Sequence, residues 1–310
     1  MNGLLIALGK FFANTCSALV RDKEKRHRVR EALHPLNPER CIRYLGKHYV
    51  EPAKSAAAFP ENRRDFSEKA AGETEYIWQC WLQGLEQAPP LVRNCLDSVA
   101  RHRQPGQEIV LITEQNFADY VELPDFILRK RRAGRISNAH FSDVLRVFLL
   151  ARYGGYWIDA TCLLTAPIPE KIAAEPFFMF HSCGEFSYTL IQSCFIRCRK
   201  GEYMMERWQQ MLTDYWAHEN RLMHYFLLHL MFVALVRYDE RFRRSYESMP
   251  VVPELPTHVL LGYLKQGAKF SESAFEEAAA NCFLHKLTYK FPAEYLDDPD
   301  TYAARFSRRG

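Results

Sequence analysis

The chain has 310 residues, 48% hydrophobic and 25% charged, which is the balance of a folded globular protein and leaves room for one large α/β domain with an extension. Its net charge is only +4, and the segment 21–30 alone holds six Lys or Arg against two acids, so the excess is local and no nucleic-acid partner is expected. Nine cysteines without a Cys-x-x-Cys pair argue against a zinc site and for reduced thiols in the cytoplasm, and no apolar run reaches the length of about eighteen residues that a membrane span needs.

Leu4, Leu5, Leu8, Phe11, Phe12, Cys16 and Leu19 recur at steps of three and four, which predicts an amphipathic helix over residues 3–20. The basic run 21–30 follows at once, a pairing that suits peripheral contact with an anionic membrane as well as packing on the protein's own domain. Lys10 interrupts the apolar stretch and no basic residue precedes it, so a signal peptide is not expected. Prolines 35, 38, 52 and 60 and the polar stretch 62–73 divide a helical N-terminal extension, residues 1–72, from a main domain, residues 73–310.

The aromatic, β-favouring run Tyr76 to Trp81 opens the main domain as its first strand. A helical pattern from Leu91 to Arg103 stops before Pro105-Gly106, and Glu108 to Thr113 reads as a second strand, so the three form a parallel βαβ unit. A short helix and a turn around Pro124 follow. Arg129, Lys130, Arg131, Arg132 and Arg135 put five cations in seven positions, either for a diphosphate or anionic acceptor or as a solvated loop.

Next comes the most informative stretch. Ser137 or Asn138 caps a helix whose apolar positions are Phe141, Val144, Leu145, Phe148 and Leu149, and Gly154-Gly155 ends it. Asp143 and Arg146, three apart, share one helical face. Tyr156-Trp157-Ile158 is then a short buried strand, and Asp159 emerges at its carboxyl end, where open α/β sheets bind ligands and where an acid invites a cation. Cys162 to Leu164 extends the apolar run, and Phe177 to Phe180 and Tyr188 to Arg197 read as further strands. Tyr203 to Trp216 returns to helical spacing, Leu222 to Val236 reads as a buried core helix broken by His224 and His229, and Val259 to Lys265 is helical again. His224, Tyr225 and Phe226 would sit on that core helix and back an acceptor site.

Asp143-x-x-Arg146, the Gly154-Gly155 turn and the aromatic strand closing on Asp159 resemble the sugar-donor signature of retaining glycosyltransferases of the capsular polysaccharide synthesis type, relatives of the initiating yeast-type mannosyltransferases and the large glucosylating toxins. The resemblance covers roughly residues 74 to 290 and is most specific between 137 and 165. It implies a GT-A-type, Rossmann-like domain that binds a nucleotide sugar, UDP-sugar first among them. Asp143 and Arg146, beside Ser142, would then hold hydroxyls of the donor sugar. Asp159 and Thr161 stand at the family's Asp-x-Asp pair, which serves the ribose and a divalent metal, Mn²⁺ or Mg²⁺. Thr161 departs from that pattern with a neutral, weaker oxygen ligand. Trp81, with Gln79 before it, matches the base contact at the end of the first strand. In the late segment Cys282 to Lys290, His285 would complete the metal shell and Lys286 or Lys290 would neutralise phosphate. The implied acceptor is a glycan or lipid-linked sugar at the cytoplasmic face of a bacterial membrane. A sugar-phosphate transferase and a non-catalytic sugar-nucleotide or glycan-binding protein remain the alternatives.

Overall fold

The computed structural model describes residues 15, 16, 18, 19, 37–51 and 75–308. The basic run 21–30, the polar stretch 62–73 and, apart from residues 15, 16, 18 and 19, the helix expected over 3–20 lie outside the described residues.

Helix α1, Pro38–Leu45, begins with Asn37 accepting a hydrogen bond from the Arg40 amide and with proline in its first turn, the position where a missing N–H costs nothing. Strand β1, Glu75–Cys80, helix α2, Pro90–His102, and strand β2, Gln107–Ile112, form the expected βαβ unit, with β1 and β2 parallel. The basic segment is itself a helix, α3, Asp125–Arg132. Helix α4, Asn138–Tyr153, is capped by Ser137, which accepts from the His140 amide, and leads into β3, Gly155–Ile158, buried along its whole length. Strands β4, Cys162–Leu164, β5, Phe177–His181, and β6, Ile191–Cys198, come next. Helices α5, Tyr203–His218, α6, Leu227–Tyr238, α7, Glu240–Ser248, α8, Val259–Gln266, and α9, Glu272–Asn281, precede the short strand β7, Leu284–Lys286.

The main sheet runs β2-β1-β3-β6-β5, with β1 parallel to both neighbours and β6 antiparallel to β3 and β5, so the α/β expectation is met. Strand alternation divides the apolar residues between two faces. Trp78, Trp157, Met179 and Ile196 pack into the large core shared with α4, α5 and α6, while Ile77, Tyr156, Ile158, Phe178 and Phe195 form a second core on the other side. Cys41, Ile42 and Leu45 of α1 belong to the first of these cores. Among the described residues no helix is long and apolar enough to cross a membrane.

Two details position the site. Gly155 has φ +92°, and a Cβ there would lie 2.2 Å from the Tyr76 carbonyl oxygen, so glycine lets β3 lie tight against β1. Cys162–Leu164, expected to prolong β3, instead leave the sheet. The Cys162 amide donates to the Asp159 carbonyl at 2.8 Å, the chain turns, and β4 pairs antiparallel with β7 in a separate two-stranded sheet. Asp159-Ala160-Thr161 is therefore the corner between two sheets. His224, Tyr225 and Phe226 also depart from expectation: they lie in the loop and turn before α6, which starts at Leu227.

Candidate functional site

A cavity of about 280 Å³ opens at the carboxyl end of β1 and β3, between the first turns of α4 and the loop before α6. Its floor is an ion-pair chain. Arg146 is 4% exposed and lies between two carboxylates, with Nη1 3.2 Å from Asp143 Oδ1 and Nη2 2.9 Å from Asp159 Oδ1. Its guanidinium stands 4.8 Å over the Trp157 ring, and the Trp157 indole Nε1 donates to Asp159 Oδ1 at 2.8 Å. On the other side of the carboxylate, Lys286 Nζ donates to Asp159 Oδ2 at 2.6 Å and to Thr161 Oγ1 at 2.8 Å.

The local fold makes each contact. Asp143 and Arg146 meet because they are one helical turn apart. Trp157 and Asp159 meet because residues two apart leave a strand on the same side. Lys286 arrives because β7 pairs Lys286 with Cys162, the residue after Thr161, and the Leu287 amide donates to the Thr161 carbonyl at 2.8 Å.

The surroundings set opposite proton affinities. Burial pushes the Asp143 carboxyl up to about 6, against the pull of Arg146 and with a push from Asp159. Burial acts on Asp159 in the same direction, but the charges of Lys286 and Arg146 outweigh it and hold that carboxyl below its usual range. Burial also lowers Lys286, yet Asp159 reverses the effect and keeps the ammonium protonated. His229, on the cavity wall, is lowered to about 3 by burial and then by Arg146, so its imidazole is neutral.

Asp143, Arg146, Asp159, Thr161, Ser142 and Trp81 are thus brought to one cavity, with Lys286 bonded to its floor. Trp81 stands edge-on to Tyr289, ring centroids 5.5 Å apart, and its Nε1 is buried without a hydrogen-bond partner, as is Nε of Arg146. Gln79 is not brought in. It is 1% exposed and strand alternation turns it away from Cys80, which lines the cavity. His285 is not brought in either, for the same reason: it alternates with Lys286 on β7 and is fully buried beside Thr165, Nε2 3.2 Å from Oγ1. Lys290 is exposed, with Nζ 5.7 Å from the Tyr289 ring centroid.

Of the cations before α4, Lys130 and Arg131 serve packing, while Arg129, Arg132 and Arg135 are exposed. Lys130 donates to the carbonyls of Trp216 and Glu219 at the end of α5, and Arg131 pairs with Glu114 and lies 3.5 Å over the Phe141 ring. Trp157 and His229 are site residues that motif reading passes over. The i, i+2 spacing of Trp157 and Asp159 is the available signal for the first, and the single imidazole inside the apolar run of α6 for the second.

The donor set does not fit a divalent cation. Both oxygens of Asp159 already accept from cationic or indole donors, Thr161 stands where the second acid would be, and His285 faces elsewhere. Among the described residues no group of three or more His, Cys, Asp or Glu side chains is arranged to hold a metal ion.

Comparison with known proteins matches residues 34–306 to the family described as capsular polysaccharide synthesis protein. A relative named probable glycosyltransferase FCK3, from Fusarium pseudograminearum, is 27% identical over 198 residues, covering 59% of this chain and 50% of its own. O-glycosyltransferase PaGT of Phomopsis amygdali is 24% identical over 201 residues, covering 60% of this chain and 45% of its own. The chain spans about half the length of these curated relatives. Among solved structures, PaToxG Glycosyltransferase aligns over 88% of this chain and 94% of its own at 11% identity, with a TM-score of 0.40.

Proposed function

Because the chain belongs to the capsular polysaccharide synthesis protein family, we propose that it is a glycosyltransferase moving a sugar from a nucleotide-sugar donor, UDP-sugar first among them, to a hydroxyl of a glycan or lipid-linked acceptor. The observation that carries this reading is Arg146, sealed between Asp143 and Asp159 on the cavity floor with its Nε lacking any protein acceptor, beside the equally unpartnered indole N–H of Trp81. Buried donors are almost always satisfied, so two unpartnered ones on residues that line the same cavity support a ligand that brings oxygen acceptors.

In this reading the Asp143 carboxylate accepts from sugar hydroxyls and Arg146 donates to them, fixing the anomeric carbon. A displacement of about an ångström there costs on the order of a hundredfold in rate. Asp159 positions Arg146 and Lys286, Ser142 borders the sugar, and Trp81 flanks the base. The donor set gives no step to a divalent cation. Retention of anomeric configuration follows the family signature, and the name of the Phomopsis amygdali relative supports a hydroxyl as the accepting group. A role in bacterial surface polysaccharide synthesis, at the cytoplasmic face of a membrane touched by the basic run 21–30, completes the proposal.

A thermal-shift screen across UDP-, GDP-, ADP- and CMP-sugars tests it. One donor class should stabilise the chain, by about 2.7 kcal/mol at a concentration about a hundredfold above Kd, and Asp143→Asn should lose that shift. No shift with any nucleotide sugar would refute a donor site.

A further inference from the structure

Resting on that donor-site reading, we propose that the ammonium of Lys286 takes the place of a divalent cation, so that the leaving nucleoside diphosphate is neutralised by a protein side chain and the donor site works without metal. The geometry leads there directly. Residues 159 and 161 occupy the positions of the family's Asp-x-Asp pair, and the group bridging them is Lys286 Nζ, 2.6 Å from Asp159 Oδ2 and 2.8 Å from Thr161 Oγ1.

Charge favours the same conclusion. Asp143 and Asp159 are set against Arg146 and Lys286, two carboxylates against two fixed cations, so an arriving dication meets no net negative charge. Thr161 fits an ammonium better than a metal, because a neutral hydroxyl accepts a hydrogen bond from Lys286 without adding the charge that metal binding needs. An ammonium carries three N–H donors. Asp159 and Thr161 take two, and among the described residues the third has no bonded acceptor, which leaves it for a phosphate oxygen. The pairing of β7 with β4 holds the nitrogen in place before donor binds, the arrangement in which a fixed charge stabilises a developing one without reorganisation.

During transfer the bond from the anomeric carbon to the diphosphate oxygen breaks and its electron pair stays on that oxygen. The acceptor hydroxyl oxygen forms the new bond to the anomeric carbon, and its proton is released with the nucleoside diphosphate. Lys286 forms no bond in this step. It offsets the charge that collects on the leaving diphosphate.

The test is calorimetric titration of the full chain with UDP, GDP, ADP and CDP, in excess EDTA and in excess Mn²⁺. The nucleotide that binds should do so with Kd equal in the two buffers to within about threefold, and Lys286→Met should weaken it about tenfold to a hundredfold, the worth of one charge-assisted hydrogen bond. Thr161→Asp combined with Lys286→Met should bind again, now only with Mn²⁺. Should Lys286→Met fail to fold by circular dichroism, Lys286→Arg and the wild-type comparison decide: the arginine variant should bind in EDTA. Mn²⁺ tightening the wild type tenfold or more, or Lys286→Met binding like wild type, would overturn the substitution of metal by lysine while leaving the donor site standing. Absence of binding for every nucleoside diphosphate in both buffers would remove the donor site, and this inference with it.

Discussion

Asp143 and Asp159 touch the same guanidinium yet hold their protons with opposite strength, and pH separates their contributions. With its carboxyl raised to about 6, Asp143 adds stability that is complete below its ordinary value of 3.8 and is lost as pH rises through about 6. Asp159, lowered, adds stability above 3.8 that is lost as pH falls through its depressed value. In the proposed function the Asp143 carboxylate is an acceptor for the donor sugar, so affinity for the nucleotide sugar should fall as pH drops through about 6. Calorimetry against pH should show that inflection in the wild type, and an affinity unchanged through that range would contradict the role of Asp143. From sequence alone, Asp159→Asn is a polar cleft substitution costing at most about 1 kcal/mol. The structure raises the expected cost to about 3 kcal/mol by urea unfolding, together with loss of transfer, because Arg146 and Lys286 both lose their carboxylate partner. The placement of Asp143, Arg146 and Asp159 around one corner could be read from spacing because helix and strand periods fix their faces, whereas a role in sugar binding came only from the family resemblance. Gln79 and His285 could not, since a strand's parity relative to a cleft depends on which neighbour it pairs with, and a shift of one residue exchanges His285 for Lys286.

The helix α4 and strand β3 carry their own instructions: a serine cap, an apolar stripe, two glycines and a buried aromatic run. They were therefore readable within a residue or two, as were β1, α2, β2 and α5. The departure of Cys162–Leu164 into a second sheet was not, because a continuous apolar run looks the same whether the strand continues or crosses over, and only pairing with Leu284–Lys286 from the far end of the chain decides it. The junction of α4 and β3 makes a test of its own. Gly155→Ala places a methyl group against the Tyr76 carbonyl and forces a positive φ on alanine, so urea unfolding should register a loss of at least about 3 kcal/mol. A loss below about 1 kcal/mol would mean that β1 and β3 are not held as close as described.

Across the whole molecule one core joins the segment 37–51 to the sheet and its helices, and the family match likewise begins at residue 34. The sequence placed this segment in an N-terminal extension because prolines and polar residues surround it; its burial depends on tertiary partners in α6 that no local pattern announces. The Tyr44 hydroxyl donates to Glu219 at 2.5 Å and Arg237 pairs with Glu39 at 2.7 Å, tying α1 down near both its ends. Leu45 is fully buried, so Leu45→Ala should cost about 2–5 kcal/mol in urea unfolding, the range for core leucines, whereas a cost near zero would show this helix to be a loosely attached arm.

The cleft itself is examined most directly by a crystal structure of the full chain with the nucleoside diphosphate that calorimetry selects. Density for the diphosphate should lie over the corner Asp159-Ala160-Thr161, within hydrogen-bond distance of Lys286, with the base beside Trp81 and the Arg146 side chain unmoved between its two carboxylates. Nucleotide bound instead in the hollow bordered by Pro38, Ile42 and Val236, with the Arg146 cleft vacant, would contradict the assignment of the donor site.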